Sequence, residues 1–392
     1  MRIIIFILSV LMAVPHVGSG QKIVTRNFTI ESLRPVLLLP AVDRKSPENL
    51  TVLFTNGNVL MTDDAGETWN EHALPNPVSG SEGWIFSNKK GDLFYFRRIS
   101  ETALDVSVST DGGTEWKEAG NLELPGITGY PSIFFDPDKE RVMVSYLKEN
   151  DCTIELIFLQ SSNSRKWTDP KRLNGDDISC RTPGFSNGGI TKGPQDYLFA
   201  AWSNDGVIYL DRSYDGGEKW LRSDIAIHPR KGASITGKPT VLSDNSRSVL
   251  SRALYVMWAD SVESGYDILS SRSTNNGDSW TTPLRVHSGD PLDVRSPQMY
   301  LDQSNGFLYA LYYQKNGDGT YNLFVALSDD GAQSFDHMQL NEVALNVENE
   351  QWLPLLARMD VHEGKVVVSW SSVSGNEQKI WIRSLTYDQI LK

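Results

Sequence analysis

Apolar and polar residues alternate along most of this chain in short runs, and polar, glycine-bearing breaks separate the runs. Around Trp280 the runs read "GKPTVLSD", "ALYVMWAD", "YDILSSRST" and "PLRVH". Around Phe335 the same order returns as "SPQMYLD", "FLYALYY", "YNLFVALS" and "HMQLN". A period of two, rich in β-branched and aromatic residues, predicts half-buried β-strands. No segment carries a convincing helical period.

The breaks themselves repeat. "TDDAGETW" ends at Trp69, "STDGGTEW" at Trp116, "SYDGGEKW" at Trp220, "STNNGDSW" at Trp280 and "SDDGAQSF" at Phe335. A sixth, shortened copy, "SSNSRKW", ends at Trp167. The pattern is Ser/Thr, any residue, Asp, any residue, Gly, two of any kind, then an aromatic. Asn275 replaces the Asp in one copy, and Ala332 stands at the Gly position in another. An Asp or Asn side chain can accept hydrogen bonds from backbone N–H groups a few residues on, and Gly supplies positive φ. The aromatic that follows can bury itself between layers. Asp64, Asp111, Asp215, Asn275 and Asp330 are therefore read as structural turn residues. A catalytic group is not needed five times over, and no copy carries the Gly-Lys-Ser/Thr of a phosphate-cradling loop.

A supersecondary unit recurring at roughly 50 residues means a repeat architecture. Four antiparallel strands per unit, arranged radially, make a β-propeller. The expected fold is therefore all-β, a single propeller spanning 21–392. First strands begin near Pro35, Gly83, Pro131, Pro183, Pro239, Pro297 and Leu353, which gives seven blades; merging one unit with its neighbour would give six. The last unit has three strands of its own, "LPLLARMD", "KVVVSWSS" and "KIWIRSL". The segment "KIVTRNFTI" (22–30) is expected to supply its missing outer strand and remove an unpaired edge. The turn octets join third to fourth strands and so lie on one face, called the bottom. Loops between blades, and between second and third strands, lie on the top.

Composition and local motifs change the picture further. "MRIIIFILSVLMAVPHVGSG" has one positive charge, an apolar run and then small residues, the pattern of a secretory signal peptide over 1–20. The run is too short to span a bilayer, so the mature chain is expected to be secreted or periplasmic, without a membrane span. "NFT" at Asn27 and "NLT" at Asn49 are glycosylation sequons for a eukaryotic host. The formal charge of −12 argues against nucleic acid as a partner. Export permits oxidation, and Cys152 and Cys180 fall in top loops of adjacent blades, which predicts a disulfide between them. The histidines are scattered without ligand spacing, so neither metal nor cofactor is called for.

Leader, octets and propeller together resemble the Asp-box (BNR-repeat) proteins, above all the sialidase superfamily, and the resemblance covers nearly the whole mature chain. It implies a secreted protein that acts on or binds terminal acidic sugars, with a glycan or glycoconjugate as partner. If the protein is an enzyme, it implies a glycoside hydrolase of exo-sialidase type. Sialidases clamp a substrate carboxylate with three arginines and use a Tyr nucleophile polarised by a Glu, with an Asp as acid/base; guanidinium forks bind a carboxylate bidentately. "LRP" (Arg34), "CRTP" (Arg181) and "VRSP" (Arg295) place Arg before first strands, and "GKP" places Lys238 likewise. The alternative for these cations is pairing with nearby acids such as Asp177 or Asp293, or simple solvation. Tyr130 and Tyr266 are top-face tyrosines, and Glu82, Glu263 and Glu350 top-face carboxylates. Trp352 could stack on a sugar or pack in the core. No Asp follows Arg34 in an acid/base setting. The competing class is a non-catalytic propeller that binds a glycan or a protein.

Overall fold

The computed structural model describes residues 23–29, 35–73, 82–175, 178–179, 186–227, 235–262, 265–288 and 293–391. It is a seven-bladed propeller whose blades are antiparallel sheets with strands in sequential order from the axis outward. The innermost strands are Leu38–Val42, Gly83–Ser87, Ile127–Asp136, Ser186–Lys192, Ile235–Ser243, Val294–Asp302 and Ala357–His362. Blade 3 carries an extra two-residue strand, Ile178–Ser179, on its third strand. Ile23–Thr29 pairs in full register with Glu377–Thr386 and completes blade 7.

Blades pack face to face, so strands near the axis are covered on both sides. Leu38–Val42 and Leu50–Phe54 are buried at every position for this reason. The core is accordingly divided into clusters between neighbouring blades. Leu39, Val59, Ile85 and Tyr95 join blades 1 and 2. Val36, Leu38 and Val52 meet Val367, Ile380 and Ile382, which seals the first blade to the last. Gln378 strengthens this seam with a reciprocal pair: its Nε2 donates to the Val36 carbonyl and its Oε1 accepts from the Val36 N–H, each at 2.7 Å.

Each octet sits between the third and fourth strands of its blade. In the octet of blade 2, Ser109 Oγ donates to Asp111 Oδ1 (2.7 Å), and the N–H groups of Thr114 and Glu115 converge on the same oxygen (3.1 and 2.9 Å). Trp116 closes the clip by donating Nε1–H to the Gly113 carbonyl at 2.9 Å. The same geometry recurs at Asp64, Asp215, Asn275 and Asp330. Gly113 has φ +111°, and Ala332 holds the matching position at +66°, a left-handed conformation that costs an L-residue about 1–2 kcal/mol. The octet aromatics Trp69, Trp116, Trp167, Trp220, Trp280 and Phe335 each dock on an inter-blade cluster.

These hydrogen bonds hold the box carboxylates low. Thr62 and Thr68 bring Asp64 down to about 2. For Asp111 the upward push of burial is outweighed by the Glu115 N–H, the Ser109 hydroxyl and the Thr114 N–H. A depressed folded pKa contributes stability above the ordinary carboxylate range that is lost as pH falls through about 4 toward 2. Asp111→Ala is expected to cost about 1–2 kcal/mol at neutral pH, the scale of a lost charged acceptor. Urea titration at pH 7 and at pH 3 checks it: the deficit should shrink at the lower pH, and an equal deficit at both would refute the assignment.

One strand expectation is corrected. The first strand of blade 7 begins at Ala357, not near Leu353; Leu353–Leu356 forms a single helical turn. Pro354 lies in its first turn, where its missing N–H costs nothing. Leu353 and Leu356 fall on one buried face. A four-residue apolar run cannot be told from a strand by periodicity alone.

Candidate functional site

Inner strands of blades 3, 4, 5 and 6 carry a register break near their top ends, between Thr128 and Ser132, Asn187 and Ile190, Thr236 and Thr240, and Arg295 and Gln298. Three of these breaks contain a proline, Pro131, Pro239 or Pro297, which has no N–H for the ladder. A bulge re-aims the side chains beside it. This is why Tyr130 and Lys238, each directly before a proline, leave the plane of the sheet. Blade 4 has Gly188 and Gly189 at its break, and a Cβ on Gly188 would lie 2.3 Å from the Pro239 carbonyl oxygen. With no side chain there, Lys238 of blade 5 reaches past blade 4 and donates to the Tyr130 carbonyl of blade 3 at 3.3 Å.

A contact between non-adjacent blades lies at the axis, and other groups converge on it. Glu82, just before the inner strand of blade 2, is 9% exposed. Arg98, at the end of that blade's second strand, donates Nη1 to Glu82 Oε2 at 3.3 Å and to the Gly129 carbonyl at 3.2 Å. Tyr130 is 48% exposed, with Lys238 Nζ 5.6 Å and Arg98 Cζ 6.0 Å from its ring centre. Arg358, on the inner strand of blade 7, is fixed by Gln298 Oε1 at 3.2 Å and by the Pro354 carbonyl. Gln298 is oriented in turn by the Tyr300 hydroxyl at 2.7 Å and by its own bond to the Ala357 carbonyl at 2.9 Å.

The electrostatics follow from this crowding. Burial pushes the Glu82 carboxyl up, and Arg98, Lys238 and Arg358 oppose it. Lys238 is open to the channel's solvent, yet protein surrounds it. Desolvation brings its ammonium down to about 8, Glu82 resisting and Arg358 assisting. Arg358 is likewise lowered by burial. Three cations facing one carboxyl make an electropositive spot in an acidic chain, suited to an anion.

The remaining candidates fall elsewhere. Arg295 donates Nη2–H to Asp293 Oδ2 at 2.8 Å, with Nη1 and Oδ1 in ion-pair contact beside it, and it stacks 4.0 Å from the Tyr266 ring centre. Glu350, 48% exposed, accepts from Lys315 Nζ at 2.5 Å and from the Tyr321 hydroxyl at 2.7 Å. Tyr321 heads the third strand of blade 6, two strands out from the axis, and is 1% exposed. Burial, then the Glu350 carboxylate, raises its phenol. Trp352 is half-buried in a short turn that leads into Leu353. Cys152 is disulfide-bonded in the turn of the top hairpin of blade 3. Arg34, Arg181, Glu263, Cys180 and the leader lie outside the described residues. Among the described residues no group of His, Cys, Asp and Glu could hold a metal, and no helix is long and apolar enough to cross a membrane.

Sequence reasoning missed Arg98, Arg358, Gln298 and Tyr321. A usable signal exists for Arg358. In "ARMD" the polar residues alternate with buried ones, and on an innermost strand the alternate face looks toward the axis.

No family model matches the chain, and no curated protein is similar to it. Similar solved structures include an ulvan lyase of polysaccharide lyase family PL25 bound to a GlcA(1-4)Rha3S unit. It has a TM-score of 0.52 at 10% identity and covers 93% of this chain and 99% of that one. A triple arginine-to-alanine variant of AofleA from Arthrobotrys oligospora has a TM-score of 0.51 at 12% identity over 82% and 91%. The Hadza microbial sialidase Hz136 has a TM-score of 0.48 at 13% identity over 88% and 74%. At these identities the likeness to the ulvan lyase and to the AofleA variant shows the fold alone.

Proposed function

We propose that this chain is an exported propeller that binds or acts on terminal acidic sugars, with the sugar carboxylate held at the top of the axis. The observation that carries the reading is the convergence of Arg98, Lys238 and Arg358, from blades 2, 5 and 7, around Glu82 in a chain of net charge −12. Charges of one sign in a walled site focus an oppositely charged ligand. Arg34 and Arg181, offered by the sequence for the same carboxylate, lie outside the described residues. The reading moves Arg295 to a supporting role, because Asp293 already occupies its guanidinium.

The Tyr321–Glu350 pair lies off the axis with its tyrosine buried, which favours binding over a sialidase-type displacement. A nucleophile must reach its substrate, and the Tyr321 phenol is closed in. Titration of the purified protein with sialyllactose and with lactose, beside a fluorogenic sialoside assay, tests both parts. Sialyllactose binding without turnover is the expected result, and turnover would make the protein a glycoside hydrolase. If sialyllactose binds no better than lactose, the acidic-sugar reading fails.

A further inference from the structure

Glu82 stands out among the axial groups because its hydrogen bonding is unfinished. It follows no strand of its own, and Gly83 fixes it against the blade. A Cβ on Gly83 would lie 2.7 Å from the Tyr95 ring and 2.8 Å from Leu39, so only glycine brings the chain this close. The Glu82 carbonyl accepts the Arg98 N–H at 2.9 Å, which sets the side chain at the top of the channel. Arg98 then takes one carboxyl oxygen, Oε2. Among the described residues Oε1 has no hydrogen-bond partner, although a carboxylate offers about four acceptor positions. An acceptor left open in this way is available to a donor on an incoming ligand.

The donors around it are unfinished too. Lys238 Nζ spends one of its three N–H bonds on the Tyr130 carbonyl. The Arg358 bonds to Gln298, Pro354 and Ala357 all use Nη1, so Nη2 faces no described acceptor. Lys238 and Arg358 lie within electrostatic reach of Glu82 without pairing with it, and that gap matches a ligand that carries an anionic group with hydroxyl donors beside it.

We propose that Glu82 is the specificity-determining residue of the axial site: it admits a polyhydroxylated carboxylate and rejects a bare oxyanion. This rests on the reading of the axis as an acidic-sugar site. The carboxylate of a sugar acid meets Lys238 and Arg358, and a neighbouring hydroxyl donates to Glu82 Oε1. Sulfate is all acceptor at neutral pH. It would set an oxygen against the Glu82 carboxylate, and that repulsion outweighs its greater charge. Exclusion of the wrong ligand by an unpaired, like-charged group is a common source of specificity.

Calorimetric titration with D-glucuronate and with inorganic sulfate, at fixed ionic strength and pH 7, is the test. The wild type should bind glucuronate at least about tenfold more tightly than sulfate, the scale of one charged hydrogen bond made or lost. Glu82→Gln should bring the ratio near one, chiefly by gaining sulfate affinity, whereas Glu82→Asp should keep the preference. Equal affinities in the wild type, or an unchanged ratio in Glu82→Gln, overturn the role of Glu82 and leave the axial anion site standing. Binding of neither ligand overturns both. If Glu82→Gln fails to fold by circular dichroism, the two wild-type titrations decide alone.

Discussion

With Lys238 replaced by alanine, affinity for an acidic sugar is expected to fall about 10- to 100-fold, the value of one hydrogen bond to a charged group in a crowded site. The same substitution should leave the melting temperature unchanged or slightly higher. The folded protein holds this ammonium down to about 8 from the ordinary lysine range, so the charge is a burden on folding, not a support. Affinity should also depend on pH with a definite sign. Below about 8 the ammonium is charged and ready; as pH rises through 8 a proton must be taken up for the anion to bind, and affinity falls. Lys238→Arg should bind with a flat profile over the same range, since guanidinium stays charged. Isothermal titration at pH 6.5, 7.5 and 8.5 in two buffers of different ionisation enthalpy measures both affinity and proton uptake. A wild-type profile as flat as that of Lys238→Arg would remove Lys238 from the site.

The largest expected effect on stability lies far from the axis, at Asp211 on the third strand of blade 4 (Val207–Ser213). Its side chain is fully buried. Oδ1 accepts from the N–H groups of Arg212 at 2.6 Å and Leu221 at 2.9 Å, while Oδ2 is buried without a hydrogen bond. Burial pushes this carboxyl to about 7. The two N–H groups oppose the shift, Asp224 adds to it and the Arg212 guanidinium works against it. A raised folded pKa means that the folded state prefers the neutral acid. Stability is therefore complete near pH 4 and declines as pH climbs to about 7, by up to about 4 kcal/mol, after which it levels. Asp211→Asn keeps the Oδ1 acceptor and cannot ionise. Its stability should match the wild type near pH 4 and exceed it at pH 8. Denaturant titrations of both proteins across this range make the comparison, and parallel curves would show that Asp211 carries no buried charge.

The fold was legible because its signals are local and repeated. The octets needed only an Asp or Asn, a Gly or its stand-in, and an aromatic at fixed offsets, and each is a turn whose Asp or Asn side chain collects nearby N–H groups. The closing strand was legible from an imbalance, three strands in the last unit and one without a partner in front of the first. The candidate site was legible in part. Lys238 was marked by the proline behind it and Tyr130 by its place in a top loop; that both sit at a bulge appears only in the structure. Arg98 was not marked, since it ends an ordinary second strand and reaches the axis only when blades 2 and 3 are set side by side. Arg295 shows the converse. Its position before a first strand suggested a clamp, but Asp293, two residues away, was free to take the guanidinium first. Local sequence identifies which side chains are aimed at the top face; the distances that decide between a pair and a pocket arise from blades far apart in the chain.

Closure of blade 7 by Ile23–Thr29 also imposes an order in time. The strand leaves the ribosome early, but its partner, Glu377–Thr386, is among the last segments made. At about 5–20 residues per second, the edge strand waits roughly 20–70 seconds for its place. Six blades can assemble meanwhile, each against the one before, yet the ring stays open and Val36 lacks both the apolar cover and the Gln378 amide that later seal it. A nascent chain of this kind carries an adhesive end throughout its synthesis, and two such chains could exchange first strands before either closes. The finished molecule is correspondingly hard to reopen. Releasing any one blade from the ring breaks two faces of contact, whereas in an open array the terminal blade is held by one.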